Sequence, residues 1–224
     1  LGDVYKRQVP GFDVQILNKN GQKVRSTETG SIVIKLPLPP GCLPTLWNDN
    51  ERYQTSYLST FPGYYLTGDG GYKDKDGYVF VMGRTDDVIN VAGHRLSTGE
   101  MEELIGGHKA VAECAVVGIA DELKGQVPAG FVVLKDGYSL ENEDLAPELI
   151  MIIRSNIGAV ANFKQVAIVK RLPKTRSGKI LRKSIRTLAD RGKTAIPSTI
   201  DDPSILEEIK DVLQKLQIGM AFIK

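Results

Sequence analysis

At Thr85-Asp86-Asp87 the hydrophobic texture of the chain changes, and that change restricts the fold to two differently built parts. Upstream, short apolar runs around Val14 and Ile16, at Ile32-Val33-Ile34 and at Tyr78-Val79-Phe80-Val81-Met82 alternate with turn-forming clusters, among them residues 18–21, Glu28-Thr29-Gly30 and Asp76-Gly77. Runs bounded in this way read as strands, and Asp-Gly between two of them asks for a hairpin turn with positive φ. Pro37, Pro39, Pro40 and Pro44 forbid regular structure in the middle of this part, while residues 47–57 suit a short surface helix. The expectation for residues 1–85 is a small antiparallel β unit, with Arg84 falling just after its last strand.

From residue 86 to 224 strand-like and helix-like patterns alternate, which argues for a separate α+β domain. Residues 88–91 read as a strand, Ala92-Gly93-His94 as its turn, and Ser97-Thr98-Gly99-Glu100 as a capping box opening a helix through Met101, Leu104 and Ile105. Two further strands are expected over 111–117 and 130–134. Leu145, Leu149, Ile152, Ile153 and Ile157 share a helical face, 165–169 returns as a strand, and an amphipathic helix passes through Leu206, Ile209, Val212, Leu213 and Leu216. Asp86 is the expected hinge between the two parts.

Bulk properties remove several functional classes. With 29 basic and 27 acidic residues among 224, the net charge of +2 calls for neither a nucleic-acid nor a membrane partner. The most apolar window, residues 111–120, is interrupted by Glu113 and falls far short of the roughly 20 residues that a spanning helix needs. Cys42 and Cys114 form no disulfide framework, which suits a reducing compartment, and two histidines, His94 and His108, are too few for a histidine-rich metal centre. The expectation is a soluble protein of the cytoplasm or mitochondrial matrix. The first residue is Leu rather than Met, so the N-terminus, with any targeting sequence, is expected to lie upstream.

Three segments carry chemistry. Lys174-Thr175-Arg176-Ser177-Gly178-Lys179, between Pro173 and Ile180, sets one lysine on a glycine-containing loop. It is not a phosphate-binding P-loop: Ile180 replaces the metal-binding hydroxyl residue, and Pro173 stands where the first glycine belongs. Read alone, Lys179 sits in a solvated basic surface with Lys164, Lys170, Arg171, Lys174, Arg176, Arg182, Lys183 and Arg186. Asp69 in Tyr65-Leu66-Thr67-Gly68-Asp69 reads either as a turn former or as a carboxylate with two acceptor oxygens for vicinal hydroxyls. The third segment, GRTDDVINVAGHRL over 83–96, holds Arg84 and Arg95, with Gly93 able to admit a thin substrate or another backbone.

Together these segments resemble the adenylate-forming acyl-CoA synthetases, the short-chain, propionate-type members most closely, over the last third or so of such an enzyme. The resemblance implies that residues 1–85 are the end of the large N-terminal AMP-binding domain and 86–224 its mobile C-terminal domain. It implies an ATP-dependent carboxylate–CoA ligase that forms an acyl adenylate and pyrophosphate, then acyl-CoA and AMP. Lys179 would be catalytic, Asp69 and Arg84 would hold the ribose, Arg95 the adenylate phosphate, and Ala92, Gly93 and Arg154 would meet coenzyme A. Ala92 stands where acetate-type relatives carry serine. Arg154 reads equally as a solvated helix charge. Gly106, His108 and Val111 match a structural cation site of some relatives. ATP would enter as its magnesium complex, and enzymes that acylate and deacylate Lys179 would be regulatory partners. Bending at Asp86 would present Lys179 for one half-reaction and the Gly93 turn for the other. Alternatives are an acetate–CoA ligase, a carrier-protein-loading adenylation domain, or a non-catalytic nucleotide- or partner-binding module. An RNA-binding patch over 171–186 lacks stacking aromatics.

Overall fold

A computed structural model describes residues 5–6, 10–85 and 87–222. The chain divides into two compact units, Leu1–Asp86 and Asp87–Lys224. Asp86, the expected hinge, lies outside the described residues.

Unit 1 is an antiparallel sheet of β1 (Tyr5–Lys6), β2 (Val14–Leu17), β3 (Gly30–Lys35), β4 (Tyr64–Lys73) and β5 (Val79–Arg84), in the order β1-β5-β4-β3-β2. The period-two alternation of strands sends Ile16, Ile32 and Val79 into one apolar cluster and Leu17 and Val33 into another, which Phe61 joins from the segment before β4. The Asp76-Gly77 signal holds, with Gly77 at φ +86 and the Asp74 carboxylate accepting the N–H groups of Asp76 and Tyr78. Two expectations shift. Arg84 is the last residue of β5 rather than beyond it, because it pairs across the ladder with Asp69. The helix expected from residue 47 begins at α1 (Asn50–Tyr53), where the Asp49 side chain caps Arg52 N–H at 3.1 Å, and runs into a π-helical turn, Gln54–Leu58.

Unit 2 has a mixed sheet with helices on both faces. Its strands are β6 (Val88–Val91), β7 (His94–Ser97), β8 (Val111–Asp121), β9 (Gly125–Leu134) and β10 (Gln165–Ile168), ordered β10-β9-β6-β7 with β8 on β9. The helices are α2 (Thr98–Gly106), α3 (Asn142–Asn156), α4 (Arg182–Arg191) and α5 (Ile205–Leu216). On β8, Ala115, Val117 and Ile119 join the α4 and α5 core, whereas Val116 joins the α2 and α3 core. A strand covered on both sides is apolar at successive positions, which is why 115–117 shows no alternation. The ladder of β8 and β9 runs from Val111↔Leu134 to Asp121↔Gly125, several residues beyond the expected ends. Long-range pairing carries both strands through Gly118 and Pro128, residues that locally read as breakers. No helix is expected over 182–191, yet α4 forms there and buries Ile185, Leu188 and Ala189. Among the described residues no helix is long and apolar enough to cross a membrane.

Candidate functional site

The candidate residues fall in both units. In unit 1, Asp69 and Arg84 are cross-strand partners, with Nη1 4.0 Å from Oδ1 and both side chains reaching solvent. Thr67 accepts Asp69 N–H on its hydroxyl at 3.1 Å and donates to the Ile32 carbonyl at 2.8 Å, which fixes the loop side of the carboxylate. Gly68 has φ +82, and a Cβ there would lie 2.9 Å from the Arg84 guanidinium. Sequence reasoning gave Gly68 no role beyond turning. Its absent side chain is what lets the guanidinium lie over the backbone beside Asp69, and Thr85 fastens the same place by donating twice to the Gly68 carbonyl, at 2.9 Å and 3.0 Å.

In unit 2, the β6 and β7 register pairs Val91 with His94, leaving Ala92 and Gly93 as a two-residue turn and His94 in the strand. Ala92 has φ +48 and Gly93 φ +92, the conformation whose twist matches a hairpin. Ala92 N–H donates to the Lys124 carbonyl at 2.9 Å. Among the described residues nothing lies within 4 Å of a Cβ built on Gly93, so this face of the turn is open. Arg95 follows on β7, exposed and opposite Asn90. Arg154 is exposed on α3 and lines a concavity with Asn162 and Lys164, remote in sequence from the turn.

Lys179 sits at the end of a tight hairpin closed by the Lys174↔Ile180 bridge. Its carbonyl accepts Thr175 N–H at 2.8 Å and its N–H donates to the Thr175 hydroxyl at 3.1 Å, so the backbone on either side of the side chain is held. A second bridge, Thr175↔Ile200, with Arg176 N–H to the Thr199 carbonyl and Asp201 N–H to the Lys174 carbonyl, stitches the hairpin to the segment before α5. The Lys179 side chain is exposed and makes no hydrogen bond or ion pair among the described residues.

The basic surroundings need correction. Arg171 forks to Asp202 at 2.6 Å and Glu208 at 2.5 Å, Lys174 meets Glu113 at 2.6 Å, and Arg182 meets Glu102 at 2.7 Å. These three cations are tied to carboxylates from elements distant in sequence, while Lys164, Lys170, Arg176 and Lys183 remain exposed as the sequence led one to expect. Ser204, through its hydroxyl and its N–H, and then Arg171 hold the Asp202 carboxyl down to about 2. Burial, with Glu102 nearby, pushes the Cys114 thiol up to about 11 and keeps it protonated near neutrality.

Of Gly106, His108 and Val111, which lie at and after the end of α2, only His108 brings a side-chain ligand, and its imidazole is committed. Its Nε2 lies 3.0 Å from the Glu148 carboxylate and its Nδ1 accepts Ala110 N–H at 3.3 Å. A cation there would depend on main-chain carbonyls, and the His108 carbonyl already accepts Val111 N–H at 3.1 Å. Among the described residues no group of three or more His, Cys, Asp or Glu side chains could hold a metal.

Residues 100–179, ending on Lys179 itself, match the family described as the AMP-binding enzyme C-terminal domain. Over that segment the chain carries the AMP-binding enzyme C-terminal domain. An uncharacterized protein of Pseudomonas aeruginosa is 59% identical over 213 residues, covering 95% of this chain and 34% of that protein. The mitochondrial acyl-CoA synthetase short-chain family member 3 of Pongo abelii is 48% identical over 209 residues, 93% of this chain and 30% of its own length. The solved acetoacetyl-CoA synthetase of Streptomyces lividans superposes with a TM-score of 0.81 at 25% identity, covering 96% of this chain and 32% of that one. The chain therefore spans about a third of the length of the curated relatives it matches. Within the family match lie Gly106, His108, Val111, Arg154 and Lys179; Asp69, Arg84, Ala92, Gly93 and Arg95 precede it.

Proposed function

We propose that the chain is the C-terminal part of an AMP-forming short-chain carboxylate–CoA ligase, with propionate as the acid. The observation that carries the reading is the setting of Lys179: a backbone held by hydrogen bonds presents an exposed ammonium that makes no ion pair or hydrogen bond among the described residues, while Arg171, Lys174 and Arg182 nearby are paired. Adenylate formation needs such a group. Attack of a carboxylate on the α-phosphorus of ATP, with pyrophosphate leaving, gathers negative charge in line, and a compact cation placed there stabilises it by about 3 kcal/mol or more. Asp69 accepts the vicinal ribose hydroxyls on its two oxygens, Arg84 orients that carboxylate, and Arg95 meets the adenylate phosphate. Magnesium enters with ATP and screens the triphosphate.

Thioester formation then uses the Ala92-Gly93 turn, whose unfilled face suits the thin pantetheine arm, and Arg154 with Lys164 for a phosphate of coenzyme A. Rotation about Asp86 exchanges the two steps. Similarity over residues 34–41 favours propionate over acetate, and the mitochondrial relative supports a mitochondrial or other soluble setting. Acylation of Lys179 would cancel its charge and silence the first step.

The test is Lys179→Ala in the full-length enzyme. Adenylate formation should be lost while thioester formation from a supplied acyl adenylate continues. Undiminished adenylation refutes the assignment, and a panel of acetate, propionate and butyrate ranks the acids by kcat/KM.

A further inference from the structure

Ion pairs flank the Lys179 hairpin on both sides, and one of them differs in kind. Lys174 with Glu113, and Arg171 with Asp202 and Glu208, are open to solvent. Arg182 and Glu102 are enclosed, with side chains 23% and 16% exposed. Arg182 Nε donates to Oε1 at 2.9 Å and Nη2 to Oε2 at 2.7 Å, the parallel pair of bonds that a planar guanidinium makes with a carboxylate. Glu102 Oε1 also accepts Val116 N–H at 2.8 Å, which fastens the same carboxylate to β8.

Placement makes this pair more than a staple. Arg182 is the first residue of α4, three positions after Lys179, and Leu181 before it supplies no side-chain cap. The helix is docked through Ile185, Leu188 and Ala189, and Leu181 N–H donates to the Pro173 carbonyl at 2.8 Å; Arg182 adds a charged tie at the exit of the hairpin that reaches across to α2 and β8. Glu102 lies in the middle of α2, whose cap Ser97 is the last residue of β7, the strand that bears Arg95. One carboxylate thus joins the exit of the Lys179 hairpin, the strand β8, and the helix that continues from the Gly93 turn.

We propose that Glu102 and Arg182 are positioning residues for Lys179, holding the hairpin and α2 as one rigid piece so that the ammonium keeps a fixed reach. The proposal rests on the reading of Lys179 as the adenylating cation. A lysine at 182 would keep the charge but meet the carboxylate at a single point, loosening the exit of a hairpin whose other ties run to residues 199–201.

In the full-length enzyme, Arg182→Lys should lower kcat for adenylate formation by about 10- to 100-fold, the scale of a misplacement near 1 Å. KM for ATP and thioester formation from a supplied acyl adenylate should stay essentially unchanged. Glu102→Gln, which keeps an acceptor for Val116 N–H, should show the same split more weakly. Equal loss of both half-reactions, or loss of neither, overturns the proposal. Lys179→Ala, run in parallel, tests the underlying reading separately. Should that variant still adenylate, hydrogen exchange decides the tie alone. Faster exchange of the Gly178 and Lys179 amides in Arg182→Lys, with Ala115 and Phe131 still protected, supports it, and unchanged exchange at Gly178 and Lys179 overturns it.

Discussion

Two of the hairpin turns of unit 2 that hold a glycine at positive φ, those at Gly178 and Gly93, are built on opposite principles. The Lys179 hairpin has its main chain bonded internally, to the 199–201 segment, and through its flanking charges to Glu113 and Glu102. The Ala92-Gly93 turn has, among the described residues, one main-chain tie outside its own hairpin, from Ala92 to Lys124, and an open face at Gly93. The contrast matches the work proposed for each. A cation that must meet one phosphorus gains from a fixed base, whereas a surface past which a flexible thiol slides gains from a missing side chain.

The comparison breaks first at the side chains themselves. Lys179→Ala should lower adenylate formation by about 100- to 1000-fold with an unchanged melting temperature, since the side chain makes no internal contact that an ion pair or hydrogen bond would mark. Gly93→Val should spare adenylation but slow thioester formation by about 10- to 100-fold. It should also cost about 2 kcal/mol of stability in urea titration, because a β-branched residue is strained at φ +92. Thr175→Val removes the hydroxyl that Lys179 N–H uses, and the loss of about 1 kcal/mol should appear as faster exchange of that amide and a severalfold slower first step.

Acid sharpens the difference further. Asp202, which with Glu208 anchors Arg171 beside the segment stitched to the hairpin, has its carboxyl lowered from 3.8 to about 2. A depressed carboxyl contributes stability that is fully present above the unfolded value and is lost as pH falls through the folded one. Protection of the Arg176 and Asp201 amides should therefore decline between pH 3.8 and about 2, and Asp202→Asn should flatten that decline. The smallest effect is expected at Ala92, where a left-handed conformation is imposed on a residue with a Cβ. Ala92→Asn creates the preferred Asn-Gly turn and should raise stability by about 0.5 kcal/mol in the same titration.

Much of the fold is legible in local pattern. The Ser97 cap on Glu100 N–H, the Gly77 turn, the strand over 88–91 and the apolar face of α3 with Leu145, Leu149 and Ile153 all follow from short-range rules. The missed helix α4 has the same kind of face, yet Arg182, Lys183, Arg186 and Arg191 disguise it as a basic loop. Its signals were Ile185 and Leu188 at helical spacing and Gly192 just past the end, at φ +70. The ends of β8 and β9 were out of reach for another reason: a strand continues through Gly118 and Pro128 when the opposite strand supplies the partner, and no local window contains that partner.

By itself the sequence settles the chemical inventory and the local conformations: one lysine on a glycine turn, a Thr-Gly-Asp carboxylate, an arginine after a hairpin glycine. Those depend on side-chain type and on backbone sterics within a few residues. Tertiary structure decides which cations are occupied and which stand unpaired. Glu102 reaches Arg182 across 80 positions and Glu113 reaches Lys174 across 61. A charge is neutralised by whatever the fold brings within hydrogen-bonding distance, so the pairing of Lys174 and Arg182 on either side of an exposed Lys179 emerges only when the chain has folded.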